Sequence, residues 1–311
     1  MRRHGEDGKL NELHLERLKD KLGTRSMPTG EYLLQGARAE SMGELERGFA
    51  QMTEMLNLSR LYNATASASL MRRVTSECLR YATTRQTFGR NLLHYPMVVQ
   101  TLVDMLVDLE GALHLLFYLY YCRGLARLGL ANEQQLQHLR ILVPLGKLTT
   151  GRQAVTFASE GIELHGGNGY IEDWPLSRFL RDAQVLPIWE GTTNILALDT
   201  LRSARKEGCG EALLSFVESN CAEPEVLEAC RELRLELASL LKEPGQPGTI
   251  RWCWRAVHCF QACLLTKSAR TERAQRLCEQ FLDRHFGHDR TDIRPRRFEH
   301  TAKHFGTMLE V

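Results

Sequence analysis

Residues 45–85 read LERGFAQMTEMLNLSRLYNATASASLMRRVTSECLRYATTR, and this stretch decides the fold class. It contains no Pro, and Gly48 is its single Gly. Leu45, Phe49, Met52 and Leu56 recur at four-three-four spacing, the repeat of one helical face. Met55, Leu58 and Tyr62 widen that stripe, and Ala66, Leu70 and Val74 carry it onward. Downstream, Pro96 stands where a second helix can begin, since its missing N–H costs little in the first turn. Met97, Leu102, Met105, Leu106, Leu109, Leu113 and Leu116 continue that helix toward Gly124 and Gly129. A third helical stretch runs from about Asn132 to Leu164, with Pro144 expected to kink or divide it. Gly166-Gly167-Asn168-Gly169 should end it, a short helix should follow Pro175, and another should begin near Glu190. Long helices joined by short loops predict an antiparallel bundle, so the fold class is mainly α.

Outside this block the pattern changes. Residues 1–44 carry Gly23, Pro28, Gly30, Gly36 and Gly43, punctuation that suits strands and turns. Tyr32, Leu33 and Leu34 can form one strand, and Leu13, Leu15 and Leu18 sit among charges. So little sheet is not stable alone. Residues 206–311 hold three candidate helices, Leu213 to Glu218, Pro224 to Leu241 and Ile250 to Phe286. Pro244-Gly245-Gln246-Pro247-Gly248 is the clearest linker.

At 311 residues the chain has room for two domains, and its 43% hydrophobic and 25% charged content is that of a globular protein. A net charge of +2 gives no overall field for nucleic acid or membrane. The apolar run GALHLLFYLYYC, residues 111–122, is too short to span a bilayer. The start, MRRHGEDGKLNE, lacks the apolar core of a secretory signal. Nine Cys without paired spacing read as reduced thiols, hence a cytoplasmic location, or the mitochondrial matrix if a leader precedes this sequence. Cys259 and Cys263 lie one helical turn apart, but without metal-type pairing they read as core and no metal is expected.

Three stretches can carry chemistry. Gly166-Gly167-Asn168-Gly169 is a helix stop or a place where backbone approaches a phosphate. Glu190 follows Leu186, Pro187, Ile188 and Trp189; a carboxylate among such neighbours is desolvated, which suits a base near neutral pH. Its alternative is an acid at a helix N-terminus. Arg85-Gln86-Thr87-Phe88-Gly89-Arg90 closes the first helix, with Gly89 as a candidate C-cap, or presents Arg85 to a phosphate with Phe88 beside it.

In order and spacing these segments resemble the acyl-CoA dehydrogenase family. The match is carried by Arg85-Gln86-Thr87-Phe88-Gly89, Gly166-Gly167-Asn168-Gly169-Tyr170, Arg181-Asp182-Ala183 and Ile188-Trp189-Glu190-Gly191-Thr192. Arg17 to Ser26 (RLKDKLGTRS) and Ile188 to Arg202 (IWEGTTNILALDTLR) look most like its adaptive-response, AidB-like branch. The resemblance implies an FAD enzyme that oxidises an acyl-CoA between its α and β carbons. Glu190 would be the α-proton base. Arg85 and Phe88 would contact the FAD of a neighbouring subunit in a homodimer or homotetramer, and Gly166 and Gly167 would let backbone approach that cofactor. Thr192 and Asn194 would lie at the same junction. It further implies that residues 1–44 correspond to the end of the family's middle β-domain, 45–205 to its C-terminal helical domain and 206–311 to a helical extension. Without a full β-domain the chain is expected to hold FAD weakly and to show little activity, so a catalytically silent assembly partner is an alternative. Many family members have Gln where Glu163 stands here, and an acid there would repel a pyrophosphate unless it turns away. A third reading is DNA association, resting on Arg290, Arg294, Arg296 and Arg297 beside His300 and His304; Asp289, Asp292 and Glu299 balance them, as on an ordinary solvated face.

Overall fold

Three long helices carry the computed structural model: α1 (Gly48–Thr84), α2 (Pro96–Arg127) and α3 (Glu133–His165). The structure describes residues 3–5, 7–243, 245, 247–287 and 305–308. They divide into two units, residues 1–59 and 60–311. In the first, β1 (Leu13–Leu18) pairs antiparallel with β2 (Gly30–Leu34), Leu13 opposite Leu34 and Leu18 opposite Gly30. The sequence reading anticipated the second strand only; in LHLERL the charges interrupt the alternation that marks a strand.

In the second unit, Pro96 opens α2 at its first position, as its missing N–H allows. Asn132 starts α3 with a reciprocal capping box: its side chain accepts from the Gln135 N–H, and Gln135 accepts from the Asn132 N–H. Of the kink or division expected at Pro144, the division does not occur. Helix α3 runs through it, because residues 141–151 are all buried and packing on both sides holds the helix across the lost hydrogen bond. After α3 the chain forms α4 (Gly167–Tyr170), α5 (Leu176–Ala183) and α6 (Thr193–Glu207). The C-terminal helices are α7 (Cys209–Asn220), α8 (Pro224–Leu240), α9 (Gly248–Ser268) and α10 (Glu272–Phe286). The last two replace the single helix expected over 250–286. The chain breaks at Ala269, and the Thr271 hydroxyl caps α10 by accepting from the Ala274 N–H at 3.2 Å.

Two apolar cores form. One gathers Met71, Val74 and Cys78 of α1, Leu102 and Met105 of α2, Ala154 and Phe157 of α3, and Leu176 of α5. The other runs from Leu61, Leu115 and Leu145 through Leu201 to Leu233, Trp252, Phe260 and Phe281, so the C-terminal helices complete a core shared with α2 and α3. At Gly111 of α2 a Cβ would stand 2.7 Å from the Phe281 ring and 3.3 Å from Gln261; the bare backbone there is what seats α9 and α10. Charges reinforce this seat. Arg284 reaches Asp104 (2.5 Å) and Asp108 (3.1 Å), and His285 reaches Asp108 (2.8 Å). Burial alone would raise the Asp108 carboxyl; the His285 hydrogen bond and the Arg284 charge reverse this and bring it down to about 2. All nine Cys are free and buried, Cys259 and Cys263 within the core as the sequence reading has them. No helix among the described residues is long and apolar enough to cross a membrane.

Candidate functional site

The candidate residues lie in two places along α3, its C-terminal end and its middle. At its C-terminal end, the Tyr81 ring of α1 stacks on His165 at 4.2 Å. The Tyr81 hydroxyl donates to the His165 carbonyl (3.3 Å) and accepts from the Asn168 amide (3.2 Å). Tyr81 thereby ties the end of α1 to the glycine run. One turn on, the Arg85 N–H bonds the Tyr81 carbonyl at 2.8 Å. Arg85 is exposed, and its guanidinium makes no hydrogen bond or ion pair among the described residues.

Helix α1 ends at Thr84, and the following residues are a hairpin rather than a helix cap. Strands β3 (Gln86–Thr87) and β4 (Arg90–Asn91) pair across Phe88 and Gly89. Both tip residues have positive φ, 48° and 79°, as the favoured two-residue hairpin turn requires. Gly89 thus serves the turn and not a C-cap, and Phe88 stands 98% exposed in a conformation that strains a side chain with a Cβ.

The glycines divide by what they meet. Gly166 caps α3 at φ 59° and ψ −135°, a conformation open to glycine. The run does not stay unwound: Gly167–Tyr170 forms one further turn, α4. There a Cβ on Gly169 would lie 2.3 Å from the Ile162 carbonyl, so Gly169 is required by packing. A Cβ on Gly167 would meet nothing within 4 Å, and neither would one on Gly166. Glu163 is exposed in the last turn of α3, and its carbonyl accepts from the Gly166 N–H.

The other candidate residues lie far from there. Glu190 sits in a turn ahead of α6 with φ 60°. Its sequence neighbours do not enclose it: Ile188 is 57% exposed and Trp189 41%, while Glu190 is half-buried. Nor is it a helix acid, since α6 begins at Thr193 and has no acidic residue in its first turn. Two cations hold the turn from inside. Arg60 donates from Nε to the Glu190 carbonyl (3.0 Å) and from Nη1 to Asp199 (2.7 Å). Lys147, fully buried on α3, donates from Nζ to the Gly191 carbonyl (2.5 Å). Burial pushes the Lys147 ammonium down to about 8; the Arg60 charge adds to this and the Glu190 charge opposes it. At Gly151 a Cβ would come within 3.1 Å of the Leu186 carbonyl, so α3 is bare where this segment crosses it. Thr192 is the α6 N-cap residue, but its side chain makes no capping hydrogen bond, and it and Asn194 are exposed at the positive end of that helix.

Eighteen residues of α3 separate Lys147 from His165, about 27 Å at 1.5 Å per residue. The structure therefore sets Gly166 and Gly167 at the C-terminal end of α3, where Tyr81 ties them to the end of α1 that precedes Arg85 and Phe88, and the turn of Glu190, with Thr192 and Asn194 after it, against the middle of α3. Sequence reasoning missed Tyr81, Arg60 and Lys147. A sign of the last was present: Lys147 is the single charge in ILVPLGKLTT, residues 141–150. Arg294, Arg296 and Arg297 lie outside the described residues.

A family model described as "Acyl-CoA dehydrogenase, C-terminal domain" matches residues 46–204, half of the chain. The chain belongs to the acyl-CoA dehydrogenase family. It is 48% identical over 197 residues to Acyl-CoA dehydrogenase family member 11 of Caenorhabditis elegans, covering 63% of this chain and 32% of that protein. To the Putative acyl-CoA dehydrogenase AidB of Escherichia coli it is 34% identical over 245 residues, covering 78% and 44%. Among solved structures it is similar to C. elegans ACDH-11 in complex with C11-CoA, with a TM-score of 0.85 at 34% identity over 100% of this chain and 56% of that one. The chain thus spans between a third and somewhat over half of the length of these relatives.

Proposed function

We propose that the chain is the helical part of an FAD-dependent acyl-CoA dehydrogenase in which Glu190 is the α-proton base. The observation that carries this is the Glu190 turn. A carboxylate without a hydrogen bond or ion pair among the described residues is carried on a left-handed backbone whose own and next carbonyls are held by Arg60 and Lys147. An acceptor-only group so fixed can take a proton without first giving up a partner. A bound FAD would supply the acceptor for the β-hydrogen. Thr192 and Asn194, exposed at the uncapped start of α6, are cofactor contacts in this reading, where the helix N–H groups favour negative charge.

The residues at the far end of α3 fit the cofactor's phosphates. Arg85 has an uncommitted planar donor fork, and at Gly167 neither backbone conformation nor packing calls for glycine, which leaves bare surface for a close approach. The length of α3 between Lys147, which holds the Glu190 turn, and His165, next to the glycine run, about 27 Å, supports the reading that Arg85 and Gly167 serve the cofactor of a second subunit in a homodimer or homotetramer. The substrate is an acyl-CoA, in line with the C11-CoA with which ACDH-11 forms its complex. The branch we propose for the chain is that of the AidB-like and ACDH-11-like members, supported by 34% identity over 245 residues to AidB and 48% over 197 residues to family member 11.

The test is Glu190→Gln. It removes the base and keeps the shape, so turnover of an acyl-CoA, read by reduction of an electron acceptor, should fall by ~10²–10⁴ with FAD affinity unchanged. Turnover near that of the parent protein would mean that the base is elsewhere.

A further inference from the structure

The Glu190 turn rests on a lysine that no part of the proposed chemistry requires. Lys147 projects from α3 with 0% of its surface exposed, where a cation is costly to keep. It is not there to neutralise a buried carboxylate in a close ion pair. Its hydrogen bond goes to a backbone carbonyl, that of Gly191. Arg60, from α1, does the same to the preceding carbonyl, that of Glu190. Two cationic donors from two helices thus hold consecutive carbonyls of one left-handed turn. Charges around them are matched only when the turn is counted. Arg60 and Arg140 share Asp199, and Arg140 also reaches Glu207 at 3.1 Å. Three cations, Lys147, Arg60 and Arg140, then face Asp199, Glu207 and the carboxylate of Glu190.

We propose that Lys147 is a positioning residue for Glu190: with Arg60 it fixes the backbone that carries the carboxylate. This rests on Glu190 being the base. Free backbone at φ 60° would relax toward negative φ, as a residue with a Cβ prefers, and carry the carboxylate with it. A donor on each carbonyl prevents that rotation. The charged groups facing Lys147 are Arg60 from α1 and Glu190 from the turn, with Asp199 of α6 behind Arg60; Arg60 weakens its hold on the proton and Glu190 strengthens it.

Two measurements on the full chain without added ligand test this. In Lys147→Met, amide hydrogen exchange of residues 188–195 should speed up by about 10- to 100-fold, the worth of a lost charge-assisted hydrogen bond, while residues 157–165 at the C-terminal end of α3 keep their protection. An equal rise across all of α3 would assign Lys147 to general stability and overturn the proposal. Should Lys147→Met fail to fold, Glu190→Gln is read instead, by NMR titration of the lysine side chains. The Lys147 midpoint should move down from about 8, because the charge that supports its proton is gone. An unmoved midpoint would show that the two groups are not coupled and would also overturn the proposal. Neither readout uses turnover. If Glu190→Gln instead leaves turnover intact while both shifts appear, the assignment of the base fails and the clamp on the turn stands.

Discussion

Against the middle of α3 the cations are enclosed and committed; past its C-terminal end, Arg85 stands in solvent with its donors unused among the described residues. Lys147 and Arg60 spend their hydrogen bonds on the chain's own carbonyls, and Asp199 answers Arg60 and Arg140 together. Near His165 the fixed elements are neutral: the Tyr81–His165 stack, the Asn168 amide and the backbone of the glycine run. Burial makes His165 harder to protonate, and its Nδ1 bonds the Gly161 carbonyl at 2.7 Å, so that end is held by a neutral imidazole. The contrast separates a site that the chain finishes by itself from a surface that is rigid but incomplete.

The sharpest way to break this contrast lies within four residues. Gly169→Ala places a Cβ against the Ile162 backbone and should cost about 2–4 kcal/mol in thermal or denaturant unfolding, whereas Gly167→Ala should stay within about 0.5 kcal/mol. If both were harmful, Gly167 would be structural and the ligand surface would lose its support.

A smaller effect marks the enclosed site. The Lys147 ammonium releases its proton at about 8 in the folded chain and near 10.5 when unfolded. Between these values the unfolded chain holds more protons, so stability rises with pH, by roughly 1–3 kcal/mol across the window. Lys147→Met should flatten that rise, measured by denaturant unfolding at pH 7.5 and pH 10. Arg85→Ala should leave stability within about 0.5 kcal/mol. It should still weaken FAD binding by about 3- to 10-fold in an absorbance titration, since a contact open to water is discounted. A change of the opposite sign is expected at Glu190 itself. Glu190→Gly removes the Cβ from a left-handed position and should leave stability unchanged or raise it by up to about 1 kcal/mol, which calorimetry would resolve.

How much of this was legible before folding follows from which forces act locally. The three long helices announce themselves because apolar periodicity is a property of neighbouring residues, and the candidate motifs sit where that periodicity breaks. Pro144 misleads because the packing that carries α3 through it comes from other helices. Residues 250–286 hide a break because three polar positions, Ser268, Arg270 and Thr271, interrupt the pattern no more than a solvent face does. The hairpin at Phe88 and Gly89 is invisible because Phe is a poor marker of positive φ. Of the site, the glycine run and Glu190 are seen, and their supports are not. Arg60 and Lys147 act on residues 130 and 44 positions away, and nothing within a helical turn of either records that partnership.

Gly111 has a consequence for modularity. The notch it leaves on α2 is occupied by Phe281 and Gln261, side chains of α10 and α9. Nearby, Asp108 sinks its carboxylate where Arg284 and His285 answer it. A bundle cut off after α6 would keep a groove at the notch and a stranded anion beside it. The C-terminal helices are therefore not a detachable accessory: the bundle sequence is already written for their presence, and grafting them onto another bundle would need the notch and the acid to travel with them.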